Sequence, residues 1–408
     1  AQAFGAYRHR FMKHRILIDS NPRALALARA SYVGARVEAR WDGAIPAPAF
    51  LYDVNSMYAS VMARTHVPIW LHSHYVRPTA EELSRWLQHY EVIADVDLAV
   101  NAPALPFRGL ERLCFPVGSY RAVLAGPELR YARRRGWVVE AHSAAVYDRA
   151  KLFTEYVDYF WLLRTRARLD GDAALDMVAK GFLNSLYGKF GQRGRRFEED
   201  SRADGTKVDI WTEYDLDDGT RETYRQIGDL VQRFHTAGES HDSHPAIAST
   251  IASAARLRLW GLMTAAGLEN VLYVDTDSLL VNQTGQERLR SGYIGDGLGE
   301  LKLAARIDTG EIRGQKDYTI NGQRHIKGIK RNAREIAPGE FTQESFRGLK
   351  GQIKAGDLGR QLITTVTRKI RYRPVSVGPG PGVPVRPLAV SRGVPSDARA
   401  SSASSSNS

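Results

Sequence analysis

Cysteine is nearly absent: Cys114 is the only one in 408 residues. No internal disulfide can form, so the fold must rest on its apolar core, as suits a reducing compartment. Cys114 stands beside Phe115 and reads as a small packed hydrophobe rather than a nucleophile. There is no apolar run of about 18 residues, which argues against a helical membrane span. The opening AQAFGAYRHR has no apolar stretch of the secretory kind. No internal repeat is present, which argues against a solenoid or propeller. An acidic excess is missing too. Lys and Arg number 57 against 45 Asp and Glu, a formal net charge of +12. A basic balance suits a polyanionic partner, because each neutralised phosphate releases counterions, although by itself it does not identify one.

What is present is enough for a large core. Hydrophobic residues make up 43% of the chain, and the length accommodates roughly two to three domains. A helix is expected around residues 22–30, and a strand over 50–54 that runs into a turn. Residues 68–147 mix strands and turns around Pro78, Pro103, Pro106, Pro116 and Pro127. Apolar residues at helical spacing, broken by LDGD at 169–172, predict an antiparallel helix pair over 151–190. Residues 194–243 are polar and loop-rich, with a hairpin formed by 208–214 and 223–226. An Ala-rich helix follows over 245–262, then a hairpin over 271–281 centred on Asp275-Thr276-Asp277. A further hairpin is expected from 316–320 and 324–329. From about residue 374 the chain is rich in Pro and Gly and ends in a serine tract, a composition too poor in apolar residues to order itself.

Three segments concentrate chemistry. In YDVNSMYAS, at 52–60, Asp53 leaves an apolar strand and Tyr58 follows five residues later. In KGFLNSLYG, at 180–188, a helix would place Lys180, Asn184 and Tyr187 on one face. In YVDTDS, at 273–278, Asp275 and Asp277 share a tight turn between apolar strands. Two such carboxylates cannot both ionise cheaply without a cation. Phosphoryl transfer would use all three segments. It needs two hard cations about 3.5–4 Å apart, oxygen ligands to hold them, a basic side chain for the triphosphate and an aromatic surface against which bases stack.

Each part also has a plainer reading. An isolated D-T-D is an ordinary turn, Lys180 and Arg164 are solvated charges, and Tyr58 and Tyr187 are packing residues. Gly188 is a helix C-cap. Lys316 and Tyr318, one residue apart, would share a side of a strand. His235, His241 and His244 fit no standard zinc spacing and read as a solvated loop. Arg133-Arg134-Arg135 reads as a solvated face.

Taken together, the segments resemble family B DNA polymerases. Residues 53–58 resemble the D-x-x-S-[LM]-Y motif A, 180–188 the K-x-x-x-N-S-x-Y-G motif B, and 273–278 the Y-x-D-T-D-S motif C. Lys316-Asp317-Tyr318 resembles the K-x-Y motif that follows, and YVGA at 32–35 the Y-x-G-[GA] motif upstream. Phe153, Tyr156, Asp158 and Arg164 resemble the first fingers helix of the protein-primed subgroup of phages, linear plasmids and organellar elements. The likeness covers residues 32–373.

The resemblance implies an α+β right-hand fold with an antiparallel-sheet palm, two-helix fingers, a small thumb and a disordered tail. It implies DNA-directed DNA synthesis from dNTPs on primer-template DNA. It implies two Mg2+ ions (Mn2+ substituting), with a terminal protein primer among the subgroup's partners. Asp53 and Asp277 would ligate the metals, with the Val54 carbonyl, and Asp275 would support them. Tyr58 would pack on the incoming sugar. Lys180 and Arg164 would hold the triphosphate, with Asn184 and Tyr187 lining the base-pair pocket. Tyr32, Gly34, Ser56 and Gly188 would approach the DNA, and Lys316, Tyr318 and Lys327 the primer. The location implied is the cytoplasm of a bacterial or phage-infected cell, with an organelle left open.

The layout expected is palm over 1–62 and 245–315, fingers over 151–190 and thumb over 316–373. An insertion over 63–150 resembles the terminal-protein region, a polar insertion spans 191–244, and the tail spans 374–408. Ala59 replaces a usual proline. About fifty residues precede Asp53, too few for a further domain of typical size, so a polymerase core without the proofreading exonuclease is expected. Other readings are a binding module that has lost catalysis, a ribonucleotide polymerase, which Tyr58 opposes, and a nuclease, which would leave 180–187 unexplained.

Overall fold

A computed structural model describes residues 2–16, 19–109, 113–194, 196–203, 208–214, 221–235, 239–240, 242–290, 292–346, 363–369 and 382–390. Its helices are α1 (Gln2–Ala6), α2 (Pro22–Ser31), α3 (Met57–Arg64), α4 (Ala80–His89), α5 (Gly126–Arg134), α6 (Thr154–Leu169), α7 (Ala173–Phe190), α8 (Pro245–Ala266) and α9 (Gln283–Arg290). The chain divides into two compact units. One comprises Ala1–Gly191, His244–Gly322 and Val375–Ser408, the other Gln192–Ser243 and Gln323–Pro374.

The first unit carries a five-stranded antiparallel sheet in the order Val37–Ala39, Val271–Asp275, Ser278–Asn282, Ala49–Val54, Leu301–Ile307. Its central strands are apolar on both faces, as strands covered on both sides must be. α8 is Ala-rich and buried around most of its circumference, the pattern of a core helix rather than a surface one. α6 and α7 form the expected pair. Gly171 turns the chain between them at φ 72°, and Asp172 caps α7 by accepting the Leu175 N–H at 2.9 Å.

A second sheet runs Ala389–Val390, Val117–Leu124, Glu91–Val100, Val138–Ala150, Val67–Val76. The expectation of strands and turns over 68–147 needs correction, because α4 and α5 lie within it. Thr79 and Glu82 form a reciprocal capping box at the start of α4. Within the expected tail, Val383–Pro384 and Ala389–Val390 are strands. Val390 lies so close to Gly118 (φ 110°) that an added Cβ would meet its carbonyl oxygen. Residues 374–381 and 391–408, like His241, lie outside the described residues.

The second unit holds a four-stranded antiparallel sheet, Arg196–Arg202, Leu230–His235, Arg221–Ile227, Val208–Tyr214. The expected hairpin is its 208–214 and 221–227 pair. A three-stranded sheet, Arg334–Ala337, Glu340–Phe346, Ile363–Lys369, completes the unit.

Candidate active site

Asp53 is the penultimate residue of the 49–54 strand and pairs in register with Ser278, next to Asp277. The two strands thus bring their carboxylates to one end of the sheet, and the Val54 N–H donates to the Asp277 carbonyl at 2.8 Å. The turn between Asp275 and Ser278 is tight. Thr276 sits at φ 63°, uncommon for a β-branched residue. It is held there by its N–H, which donates to the Arg36 carbonyl at 2.8 Å, and by its hydroxyl, which donates to Asp275 Oδ1 at 2.9 Å.

The electrostatics follow. Partial desolvation at the end of the sheet raises both carboxyls, though Asp53 stays exposed and Asp277 half-buried, and Asp53 and Asp275 add like-charge repulsion on Asp277. Lys180 opposes this at both aspartates, so the α7 ammonium faces the pair. An oxygen-only donor set of two carboxylates that repel one another fits a hard divalent cation.

Asp275 is engaged otherwise. Lys316 Nζ donates to both its oxygens, at 2.7 and 2.6 Å, and the Lys316 N–H donates to the Tyr273 hydroxyl at 2.8 Å. The expectation that Lys316 and Tyr318 lie on one strand is corrected. Lys316 adopts φ 61°, and the strand begins at Asp317. Tyr318 instead packs on Tyr273, ring centroids 5.0 Å apart.

Tyr58 on α3 and Tyr187 on α7 stack face to face, with centroids 4.3 Å apart and planes 3° from parallel. Burial raises both phenols, and each feels the Asp277 charge, so the stack borders the carboxylates. Tyr32 lies beside Tyr187, its ring against the backbone of Gly191. Asn184 is exposed on α7 together with Lys180. Gly188 is not a cap: α7 runs on to Phe190 and Gly191 is its C-cap. An added Cβ at Gly188 would meet nothing within 4 Å, so that face is open.

Arg164 is not a surface charge. It is 6% exposed, donating from Nη1 to Ser56 Oγ at 2.8 Å and from Nε to Asp176 Oδ1 at 2.9 Å. Ser56, at φ 48°, opens α3 without capping it. Arg164 therefore ties α6 and α7 to the turn that follows Asp53. Gly34 offers its carbonyl to Arg256 at 3.1 Å. Lys327 belongs to the second unit.

Sequence reasoning missed several supports. Asn55 exchanges backbone bonds with Gly299 and Glu300 and donates from Nδ2 to the Gly295 carbonyl, fixing the chain after Asp53. The one cluster of three potential ligand side chains among the described residues whose donor atoms lie within 4.8 Å is Asp97, Glu140 and His142, in the second sheet. It is separate from the aspartate pair.

Residues 2–223 match the family model for DNA polymerase type B, organellar and viral. The chain belongs to this family. Among curated family B relatives, the DNA-directed DNA polymerase of Enterobacteria phage PRD1 is 27% identical over 295 residues, covering 72% of this chain and 50% of the phage protein. A probable DNA polymerase of Ascobolus immersus is 26% identical over 145 residues, covering 34% of this chain and 12% of that protein. The chain thus spans half or less of the length of these relatives. Phi29 DNA polymerase complexed with primer-template DNA and incoming nucleotides superposes with a TM-score of 0.61 at 14% identity, over 90% of this chain and 67% of that one. Its binary complex with primer-template DNA gives 0.60 over 90% and 66%. The α+β right-hand polymerase fold and the likeness to phage-type, protein-primed family B polymerases are borne out. Divalent metals are general to this family, and the aspartate pair provides donors of the right kind. Among the described residues, no helix is long and apolar enough to cross a membrane.

Proposed function

We propose that this chain is a template-directed DNA polymerase that adds dNTPs to a primer 3′-hydroxyl. The carrying observation is the convergence of Asp53, Asp277, Lys180 and the Tyr58–Tyr187 stack at one end of the antiparallel sheet. The 3′-hydroxyl attacks the α-phosphate of the dNTP, the bond to the β-phosphate breaks and pyrophosphate leaves. Two divalent ions, Mg2+ in this reading, would be held by Asp53, Asp277 and the Val54 carbonyl, lowering the pKa of the attacking hydroxyl and neutralising the phosphates. Lys180 adds a cation toward the triphosphate. Tyr58 bounds the sugar pocket and rejects a 2′-hydroxyl, and Tyr187 and Asn184 bound the nascent pair. Tyr32, Gly34 and Ser56 approach template backbone, with Gly188 leaving an open face beside them. Tyr318 and Lys327 serve the primer side, and Lys316 holds Asp275 and, through it, the turn. By position, α6 and α7 act as fingers, the first sheet as palm, residues 63–150 as the terminal-protein region and 316–373 as thumb. A terminal protein primer and a cytoplasmic setting accompany this reading.

Purified protein with Mg2+, dNTPs and primed template should extend the primer, and Asp277→Asn should abolish extension. Undiminished synthesis by Asp277→Asn would refute the site. One alternative is a core that binds primer-template DNA without extending it. Binding without extension at any divalent ion would select that reading.

A further inference from the structure

Residues 32–38 form a strap between the two halves of the site. At one end Tyr32 lies on Gly191 and beside Tyr187. At the other, the Arg36 carbonyl accepts the Thr276 N–H, and Val37 pairs with Asp275. The middle of the strap is irregular backbone, so its carbonyls, outside any ladder, take donors from elsewhere. Arg256 of α8 supplies them, donating from Nη1 to the carbonyls of Val33 and Gly34, both at 3.1 Å. Its other edge forms a bidentate pair with Glu128 of α5, at 2.8 and 2.7 Å. The two side chains are 2% and 1% exposed. Seven residues earlier on the same helix, Ser249 Oγ meets Ser31 Oγ at 2.6 Å. Four residues later, the Trp260 ring lies 5.0 Å from the Arg36 guanidinium, which also sits 4.1 Å from the Phe115 ring, and Glu38 accepts from it at 2.9 and 2.6 Å. One face of α8 therefore grips the strap along its length.

A buried ion pair is seldom the most stable filling for its space; well-packed apolar residues do as well or better. What an apolar filling cannot do is orient two backbone carbonyls, and lysine lacks the planar fork that serves carboxylate and carbonyls at once. We infer that Arg256, set by Glu128, is a positioning residue that fixes the strap and thereby the tyrosine stack relative to the aspartate turn. This rests on the polymerase reading.

The test compares wild type, Arg256→Lys, the double variant Arg256→Met/Glu128→Met, and Leu83→Ala as a destabilised control in α4. Unfolding temperature, primer-template Kd by fluorescence anisotropy, KM and kcat for dNTP, and the dNTP/rNTP preference are read for each. Arg256→Lys should weaken Kd and raise KM, each by about tenfold to a hundredfold, and lower the sugar preference, as small misplacements at reacting centres do. The double variant should regain unfolding temperature without regaining these values, which keeps the test decisive if Arg256→Lys does not fold. Wild-type Kd, KM and preference in the double variant, or a pattern in Arg256→Lys no different from Leu83→Ala, would overturn the inference. If wild type extends no primer, the polymerase reading fails, and an unchanged Kd in the double variant then overturns the positioning role separately.

Discussion

Replacing Glu91 by glutamine should change the slope of stability against pH more than its level. Glu91 opens the 91–100 strand with no solvent exposure. Arg130 Nη1 lies 2.8 Å from Oε2, yet neither carboxylate oxygen has a well-aligned hydrogen bond. Burial outweighs the attraction of Arg130 and moves the carboxyl from 4.5 up to about 7. The folded state therefore keeps a proton that the unfolded chain has lost, and stability falls as pH climbs through 4.5 to 7. His244, at the head of α8, has the opposite sign. It is 2% exposed, its Nδ1 has no partner, and burial moves it from 6.5 down to about 4. Here the unfolded chain takes up a proton that the folded state refuses, so stability falls as pH drops from 6.5 to 4. Each displacement corresponds to about 3 kcal/mol at full extent. Between pH 4.5 and 6.5 the two slopes offset one another in the wild type. Glu91→Gln should remove one of them and expose a rise in stability over pH 4 to 6.5. His244→Gln should expose a fall over 4.5 to 7. The assay is urea unfolding at half-unit pH steps, read as variant minus wild type so that other titrating groups cancel. The Glu91→Gln difference should grow from near zero at pH 4 to about 3 kcal/mol above pH 7. A difference constant across that range would refute the assignment of a protonated, buried Glu91.

Lys316→Met should cut primer extension about tenfold, since losing a partly exposed ion pair on Asp275 releases the turn at a cost of about 1 kcal/mol or somewhat more. Lys316→Arg should keep most of the rate, and undiminished extension by Lys316→Met would make the pair incidental to the site. Tyr58→Val removes one ring of the stack and should lower the dNTP/rNTP preference about tenfold to a hundredfold, the scale of pocket-shape discrimination; competition between labelled dNTP and rNTP reads it, and an unchanged preference would move the gate elsewhere. Gly118→Ala should destabilise by about 2 kcal/mol or more, from its positive φ and the close Val390 carbonyl. Deleting residues 383–408 should then leave only the φ contribution, and a thermal double-mutant cycle showing strict additivity would rule out that contact.

The candidate site is legible in the sequence because each motif is local. Asp53 and Tyr58 sit on one strand-turn-helix, Lys180, Asn184 and Tyr187 on one helix, and Asp275 and Asp277 on one hairpin. Strand and helix periodicity therefore placed the side chains before any fold was known. The limits of that reading are equally physical. Alternation of Lys316 and Tyr318 implies a shared strand face, but a hydrogen bond to Tyr273 and an ion pair to Asp275 hold Lys316 in a left-handed turn. Nothing local announces those partners. Glycine commonly ends helices, which makes Gly188 a cap on sequence alone, but α7 continues through Lys189 and Phe190 to a C-cap at Gly191.

Arg164 and Arg256 show where sequence reading runs out, and why. Both are buried arginines whose partners lie on other elements. Arg164 holds Ser56 and Asp176, and Arg256 holds Glu128, Val33 and Gly34. A solvated arginine and a buried one look identical in sequence, since the difference is which carboxylate and carbonyls the fold delivers to the guanidinium. In both cases the delivered partners include the chain beside a motif of the candidate site: Ser56 three residues after Asp53, and the Tyr32–Gly34 segment next to Tyr187. A buried charge that must satisfy all of its donors tolerates few backbone positions for its acceptors. On the proposed reading the aspartates, tyrosines and lysine supply the chemistry, and the two arginines narrow the geometry in which that chemistry is presented. Motif matching alone would therefore score a chain lacking Arg256 as equally competent. The contacts of Arg256 and Glu128 predict that such a chain, with an apolar pair replacing both side chains, folds and keeps its aspartates but holds its tyrosine stack and its aspartate turn in looser register.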